Sequence, residues 1–334
     1  MLPLSMTDRL QNIVDNLPLL ADFGFASVLL AVPAEGALRV VASHRSTTAV
    51  APMVADLNGT LLDAEVEGEA YAAFAAGEAI VAKSPRERER VSFVPQAHPV
   101  FENGKMSNAA PIAVIIRHIA LAASENPGRM EAEFSAMATT ITRELCIRPL
   151  LTIDGQYFST TRCPGDGILR VDDTGTVVYP SPNAVAIMRR AGFDQRVRTS
   201  PVSALPGGGF AVTPVLGIHA ALTRETEVLG RVLSYRSIGL GTSAVVFVED
   251  VTETRRQEAE LAGRDDIIKE IRAQVQQLSD QLETRKALDR AKAILMERGL
   301  SEAQAFSRLQ KSAMNHRKSL KEISDAIILS DEMQ

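Results

Sequence analysis

Apolar positions along the first 148 residues change period several times. Leu10, Ile13, Val14 and Leu17 share one helical face, which predicts a helix over 7–21. Residues 27–32 and 38–42 are short apolar runs around the turn Ala34-Glu35-Gly36, the pattern of a hairpin. A further apolar run covers 112–121. Phe134, Met137, Ala138, Ile141 and Leu145 then return to helical spacing and predict a helix over 131–145. Helices at both ends of a strand-rich centre fit an α+β sensory fold.

From 149 to 254 the pattern is shorter in wavelength. Residues 167–171 and 176–179 predict two strands joined by Asp172-Asp173-Thr174-Gly175, a hairpin turn. Ser181-Pro182 opens a helix, with the serine as N-cap and proline at the first position, carrying Val185, Ile187 and Met188 as far as Gly192. Gly207-Gly208-Gly209 reads as a flexible loop, because no Lys-Ser/Thr follows to make a phosphate loop. Strands are predicted over 228–235 and 243–248. Two strands, a helix and further strands is the element order of a PAS domain.

Leu261, Ile268, Val275 and Leu282 then recur every seven residues, with Ile271 and Leu278 at the second position of the repeat. Charged and polar residues fill the faces between, and Arg264 interrupts the seam. This heptad pattern predicts a dimeric coiled coil over 255–284; the plain alternative is a helix lying on its own domain's core. The phase shifts at Leu288, Ala291 and Leu295, where a new domain begins. Gly299 is a helix stop. Ser301-Glu302-Ala303-Gln304 and Ser319-Leu320-Lys321-Glu322 are capping boxes that open two more helices. Inward faces are Leu288, Ala291, Ile294 and Leu295; Ala305, Phe306, Leu309 and Ala313; and Leu320, Ile323, Ile327 and Ile328. The fold class is thus multidomain α+β: an α/β sensor (1–148), an α/β sensor of PAS element order (149–254), a coiled-coil helix (255–284) and a C-terminal three-helix bundle (285–334).

Composition narrows the class of function. The chain has 334 residues, 46% of them hydrophobic, enough for more than one core, and a mild net charge of -5. From 284 to 334 ten Lys+Arg face seven Asp+Glu, so the tail is +3 and the remainder -8. Cys146 and Cys163 do not make a disulfide framework and suit a reducing, cytoplasmic setting, either idle or as oxidant sensors. No signal peptide and no run of about 18 apolar residues is present, which argues against a membrane span. His44, His98, His118 and His219 lack metal-ligand spacing, so no metal site is expected. No nucleophile–base pair or carboxylate constellation points to catalysis. The alternating run Arg86-Glu87-Arg88-Glu89-Arg90 reads as a solvated loop or helix face.

The stretches Ala291-Lys292-Ala293-Ile294-Leu295-Met296, Leu300-Ser301-Glu302-Ala303-Gln304-Ala305-Phe306 and Arg317-Lys318-Ser319-Leu320-Lys321-Glu322-Ile323 resemble the ANTAR family over about 50 residues. Ala293 departs from the family's usual glycine, a harmless change in a helix. The resemblance implies a three-helix RNA-binding domain of a transcription antiterminator, acting as a dimer on paired stem-loops in nascent transcripts. The front of the chain resembles the sensory half of certain bacterial histidine kinases, a GAF-like domain followed by a PAS domain. It does so through residues 19–26, Thr47-Thr48-Ala49, Gly165-Asp166-Gly167, Tyr179-Pro180-Ser181-Pro182-Asn183-Ala184 and the junction Asp250-Val251-Thr252-Glu253. In such kinases the output helix carries a phosphoacceptor histidine. Residues 268–275 contain none, so a mechanical connection to an RNA-binding output is expected in place of phosphotransfer.

RNA contacts are expected from Arg290, Lys292, Arg317, Lys318 and Lys321, which hold phosphates, with Asn315 and His316 beside them as hydrogen-bonding and stacking groups. The plain alternative is an ordinary solvated helix surface. Leu261, Ile268, Ile271, Val275, Leu278 and Leu282 are the expected homodimer seam. A small-molecule ligand in either sensory domain is open, its cofactor class unknown. A second reading is a non-catalytic sensor or adaptor that binds a partner kinase or regulator through its GAF–PAS dimer.

Overall fold

A computed structural model describes residues 4–47, 57–88, 91–102, 109–120, 127–161 and 165–333. Thr48, Ala49, Glu89, Arg90, Leu121 and Cys163, which figure in the sequence reading, lie outside them. The chain divides into two compact units, Met1–Glu253 and Thr254–Gln334.

In the first unit, α1 (Leu4–Gly24) leads into the hairpin β1 (Ala26–Ala34) and β2 (Ala37–Arg45). Glu35 and Gly36 both have positive φ, 55° and 79°, as a two-residue hairpin turn demands. After α2 (Gly68–Ala76) come β3 (Ile80–Val81), β4 (Arg86–Arg88), β5 (Val91–Val100), β6 (Ala113–Ala120) and α3 (Arg129–Ile147). The sheet runs β2-β1-β6-β5-β3, all antiparallel, with β4 also on β5. Seven consecutive residues of β1 are buried, because the strand is covered on both faces. Val28, Leu30 and Val32 pack with α1 and α3, while Leu29 and Ala31 pack with Ala70 and Ala73 of α2. The acidic–basic run departs from expectation: residues 86–88 form an edge strand on β5, and Arg86 pairs with Glu69 at 2.6 Å.

A second antiparallel sheet follows in the same unit, from β7 (Gly167–Asp172), β8 (Val177–Pro180), β9 (Ala221–Val228), β10 (Arg231–Gly239) and β11 (Ser243–Asp250), in the order β8-β7-β11-β10-β9. Between β8 and β9 lie α4 (Pro182–Arg190) and α5 (Gly208–Ala211). Ser181 caps α4, its Oγ accepting from the Ala184 N–H at 3.3 Å. Two expectations need correction here. The run 228–235 is not one strand. It straddles a tight turn at Leu229-Gly230, both at positive φ, which joins β9 to β10. The three glycines are not a loose loop. Gly208 opens α5, and a Cβ there would sit 2.2 Å from the Val202 carbonyl oxygen, so glycine is required by close packing.

The two sheets share a core. Phe23 of α1 stacks on Phe134 of α3 at 5.1 Å and tilts against Phe247 of β11 at 5.2 Å. Asn12 and Asn16 of α1 fasten the connecting segment. Asn12 Oδ1 accepts from the Leu150 N–H at 2.9 Å, and both Nδ2 groups donate to the Phe158 carbonyl at 2.9 Å. Asp250 closes the second sheet: its carboxylate accepts from the Thr252 hydroxyl at 2.5 Å and from Arg231 at 2.8 Å. Burial works against that carboxylate's charge, yet these hydrogen bonds and the Arg231 charge hold its pKa below the usual range.

Candidate nucleic-acid interface

The second unit is built on α6 (Thr252–Glu297), a single helix of 46 residues that continues without a break through the phase shift near residue 285. Two shorter helices, α7 (Glu302–His316) and α8 (Leu320–Glu332), pack on its C-terminal end. Both expected capping boxes form. Ser301 N–H donates to Gln304 Oε1 at 3.0 Å, and Ser319 N–H donates to Glu322 Oε2 at 2.8 Å. The bundle core is Ala291, Leu295, Ala305, Leu309, Ala313 and Ile323, flanked by Leu288, Leu300, Leu320, Ile327 and Ile328. Phe306 is a correction: it stands 38% exposed rather than in the core. Ala305 precedes it by 100° of helical turn and takes the inward position, so the ring faces outward.

The heptad residues of α6 lie bare on this chain. Leu261, Ile268, Ile271, Val275, Leu278 and Leu282 are 45–60% exposed, and Ile267 is 58% exposed. Arg264, at the interrupted position, pairs with Glu260 four residues earlier at 2.7 Å.

The basic residues fall into two kinds. Arg290 pairs with Glu332 at 2.8 Å. Lys292 lies 3.0 Å from Asp289 and 3.2 Å from Glu302, and Lys321 lies 2.6 Å from Glu283. Donating hydrogen bonds to those carboxylates raises the pKa of Lys292 and of Lys321. These pairs clip α7 and α8 to α6. Arg317 and Lys318 form no ion pair among the described residues and are exposed in the turn between α7 and α8. Asn315 is exposed beside them. His316 Nδ1 lies 2.9 Å from the Ser312 carbonyl, so this nitrogen is the donor and the ring is held against its own helix.

The turn has a distinctive backbone. Arg317 is left-handed at φ 51°, ψ 40°. Its N–H donates to the Met314 carbonyl at 3.3 Å, and the Lys318 N–H donates to the Ala313 carbonyl at 3.1 Å. This is the Schellman closure of a helix, in which glycine is the usual occupant of the left-handed position. An arginine there carries a backbone cost that glycine would avoid.

The sequence reading placed the cationic cluster at 317–321 but passed over Arg308 and Lys311. Their signal was a charge pattern. Between Glu302 and Glu322 no aspartate or glutamate occurs, while Arg308, Lys311, Arg317, Lys318 and Lys321 do.

Comparison with known proteins follows this division. Residues 276–328 match the family model of the ANTAR domain, and residues 1–138 match that of the GAF domain of histidine kinase PdtaS. The sensor histidine kinase PdtaS of Mycobacterium tuberculosis (strain CDC 1551 / Oshkosh) is 28% identical over 313 residues, covering 87% of this chain and 61% of that protein. PdtaS of Mycolicibacterium smegmatis is 27% identical over 315 residues, with 88% and 61% covered. The chain therefore spans about three fifths of the length of these curated relatives. Among solved structures, the sensor region of a sensor histidine kinase superposes with a TM-score of 0.61 at 25% identity, over 76% of this chain and 96% of that one. No helix among the described residues is long and apolar enough to cross a membrane. The chain joins a sensory GAF domain of the PdtaS kind to a C-terminal ANTAR domain.

Proposed function

We propose that this protein is a signal-responsive, RNA-binding transcription antiterminator that works as a homodimer on paired stem-loops. The ANTAR match over 276–328 carries this reading. The bare heptad stripe on α6 supports pairing of two chains, since burying such residues is worth about 1.5–3 kcal/mol each. A strand order of β8-β7-β11-β10-β9, with α4 and α5 between β8 and β9, supports a PAS assignment for 149–254.

In this mechanism a ligand or partner binds one state of the sensory domains better than another and so shifts the balance between states. The Asp250–Thr252–Arg231 cluster fixes the start of α6 to the second sheet, so a change in that sheet is felt at the root of the helix. The helix then alters how the two bundles are paired. RNA contacts centre on Asn315, His316, Arg317 and Lys318. Arg290, Lys292 and Lys321 join them where phosphate replaces their carboxylate partners, an exchange that costs little because ion pairs at a solvated surface are weak.

The alternative, an adaptor that engages a kinase or regulator, is favoured by one observation: 87% of the chain aligns with sensor kinases. Crosslinking in cells followed by sequencing of the bound RNA separates the two. The proposal expects enrichment of transcripts bearing two adjacent stem-loops, lost in an Arg317→Glu, Lys318→Glu variant. Partners that survive ribonuclease, with no RNA enriched, favour the adaptor.

A further inference from the structure

Helix α7 presents a second surface that neither the capping boxes nor the bundle core uses. Its buried face is Ala305, Leu309 and Ala313. Arg308, Lys311 and Asn315 are all exposed and stand three and four residues apart, so they form one stripe along the outside of the helix. The stripe runs about 10 Å at 1.5 Å per residue and ends at the Arg317-Lys318 turn. No carboxylate occurs between Glu302 and Glu322. Arg308 and Lys311 form no ion pair among the described residues, in contrast to Arg290, Lys292 and Lys321. Arg308 and Lys311, with Arg317 and Lys318 beyond them, make a track for a polyanionic backbone; of the four, Lys318 stands close enough to Glu322 to lower that carboxyl's pKa.

Resting on the RNA-binding reading above, we infer a division of labour along α7. Arg308 and Lys311 hold phosphates on one side of Asn315, Arg317 and Lys318 hold phosphates on the other, and Asn315, between the two pairs, reads a loop base. Phosphate contacts set affinity and its salt dependence, whereas base contacts set sequence preference. The two roles therefore separate experimentally.

The test measures binding of the full-length protein to an RNA with two tandem stem-loops, from 50 to 300 mM potassium chloride. Substituting Arg308→Gln with Lys311→Gln is expected to reduce the slope of log affinity against log salt by roughly 1.4–1.8, the loss of two phosphate contacts. It should leave preference among loop sequences intact. Arg308→Lys with Lys311→Arg should keep the slope. Asn315→Ala should keep the slope and flatten the preference among loop variants. Lys292→Gln should change the slope less than Arg308→Gln. If wild type binds but the Arg308/Lys311 variant keeps its full slope with an unchanged melting temperature, the track is wrong. If wild type binds no RNA, the antiterminator reading itself fails.

Discussion

Arg317 occupies a position that folding alone would give to glycine. Arg317→Gly should relieve the left-handed strain and stabilise the bundle by about 1 kcal/mol. The same change should weaken RNA binding at least several-fold, because a guanidinium is lost. Thermal melts and binding on one preparation read both signs; a fall in stability, or unchanged affinity, would count against a binding role for this residue. His98 makes a separate residue-scale case. It is buried on β5, its Nε2 without a hydrogen-bond partner among the described residues, and burial first, then the charges of Arg117 and Arg143, push its pKa down to about 4 from 6.5. Folding with a neutral His98 is fully favourable above pH 6.5. That stability is lost as pH falls from 6.5 to about 4, at a slope approaching 1.4 kcal/mol per pH unit and about 3 kcal/mol in all. Denaturant titrations between pH 7 and 4 should show a shallower decline in His98→Gln than in wild type. Parallel declines would remove His98 from the account.

At the scale of elements, legibility follows how local the determining physics is. Capping boxes at Ser301 and Ser319, the N-cap at Ser181 and the helix containing Phe134 were readable, because each rests on neighbours within one or two turns. Strand β9 was not. Its residues from Thr223 to Glu227 alternate weakly and stand largely exposed at a sheet edge, so hydrophobic period carries little signal there. The role of Gly208 depended on a carbonyl from Val202, six residues away around a turn that sequence does not reveal. Phe306 failed because composition makes an aromatic look like core, while a single 100° step decides which of two adjacent residues points inward. The heptad stripe of α6 was read from spacing, and its use as a dimer seam yields a direct expectation. Ile271→Asp with Val275→Asp should convert a dimer to a monomer in sedimentation velocity at micromolar concentration. A wild-type chain already monomeric under those conditions would dismiss the seam.

The whole molecule combines a sensory unit with one shared core and an output unit carried on one uninterrupted helix. Within the sensory unit, Phe23, Phe134 and Phe247 link both sheets, so a disturbance of either sheet is not confined to it. The candidate interface was partly legible: the ANTAR-like motifs marked the bundle and led to the Arg317-Lys318 turn. Which cations are neutralised by carboxylates was not, because Glu283 and Glu332 reach Lys321 and Arg290 across 38 and 42 residues of sequence. The most direct test of the central claim is the mass of the protein–RNA complex by sedimentation equilibrium, using an RNA with two tandem stem-loops and a matched RNA with one. The account predicts two protein chains on each tandem RNA and much weaker binding to the single stem-loop. One chain per stem-loop with equal affinity for both RNAs would contradict it.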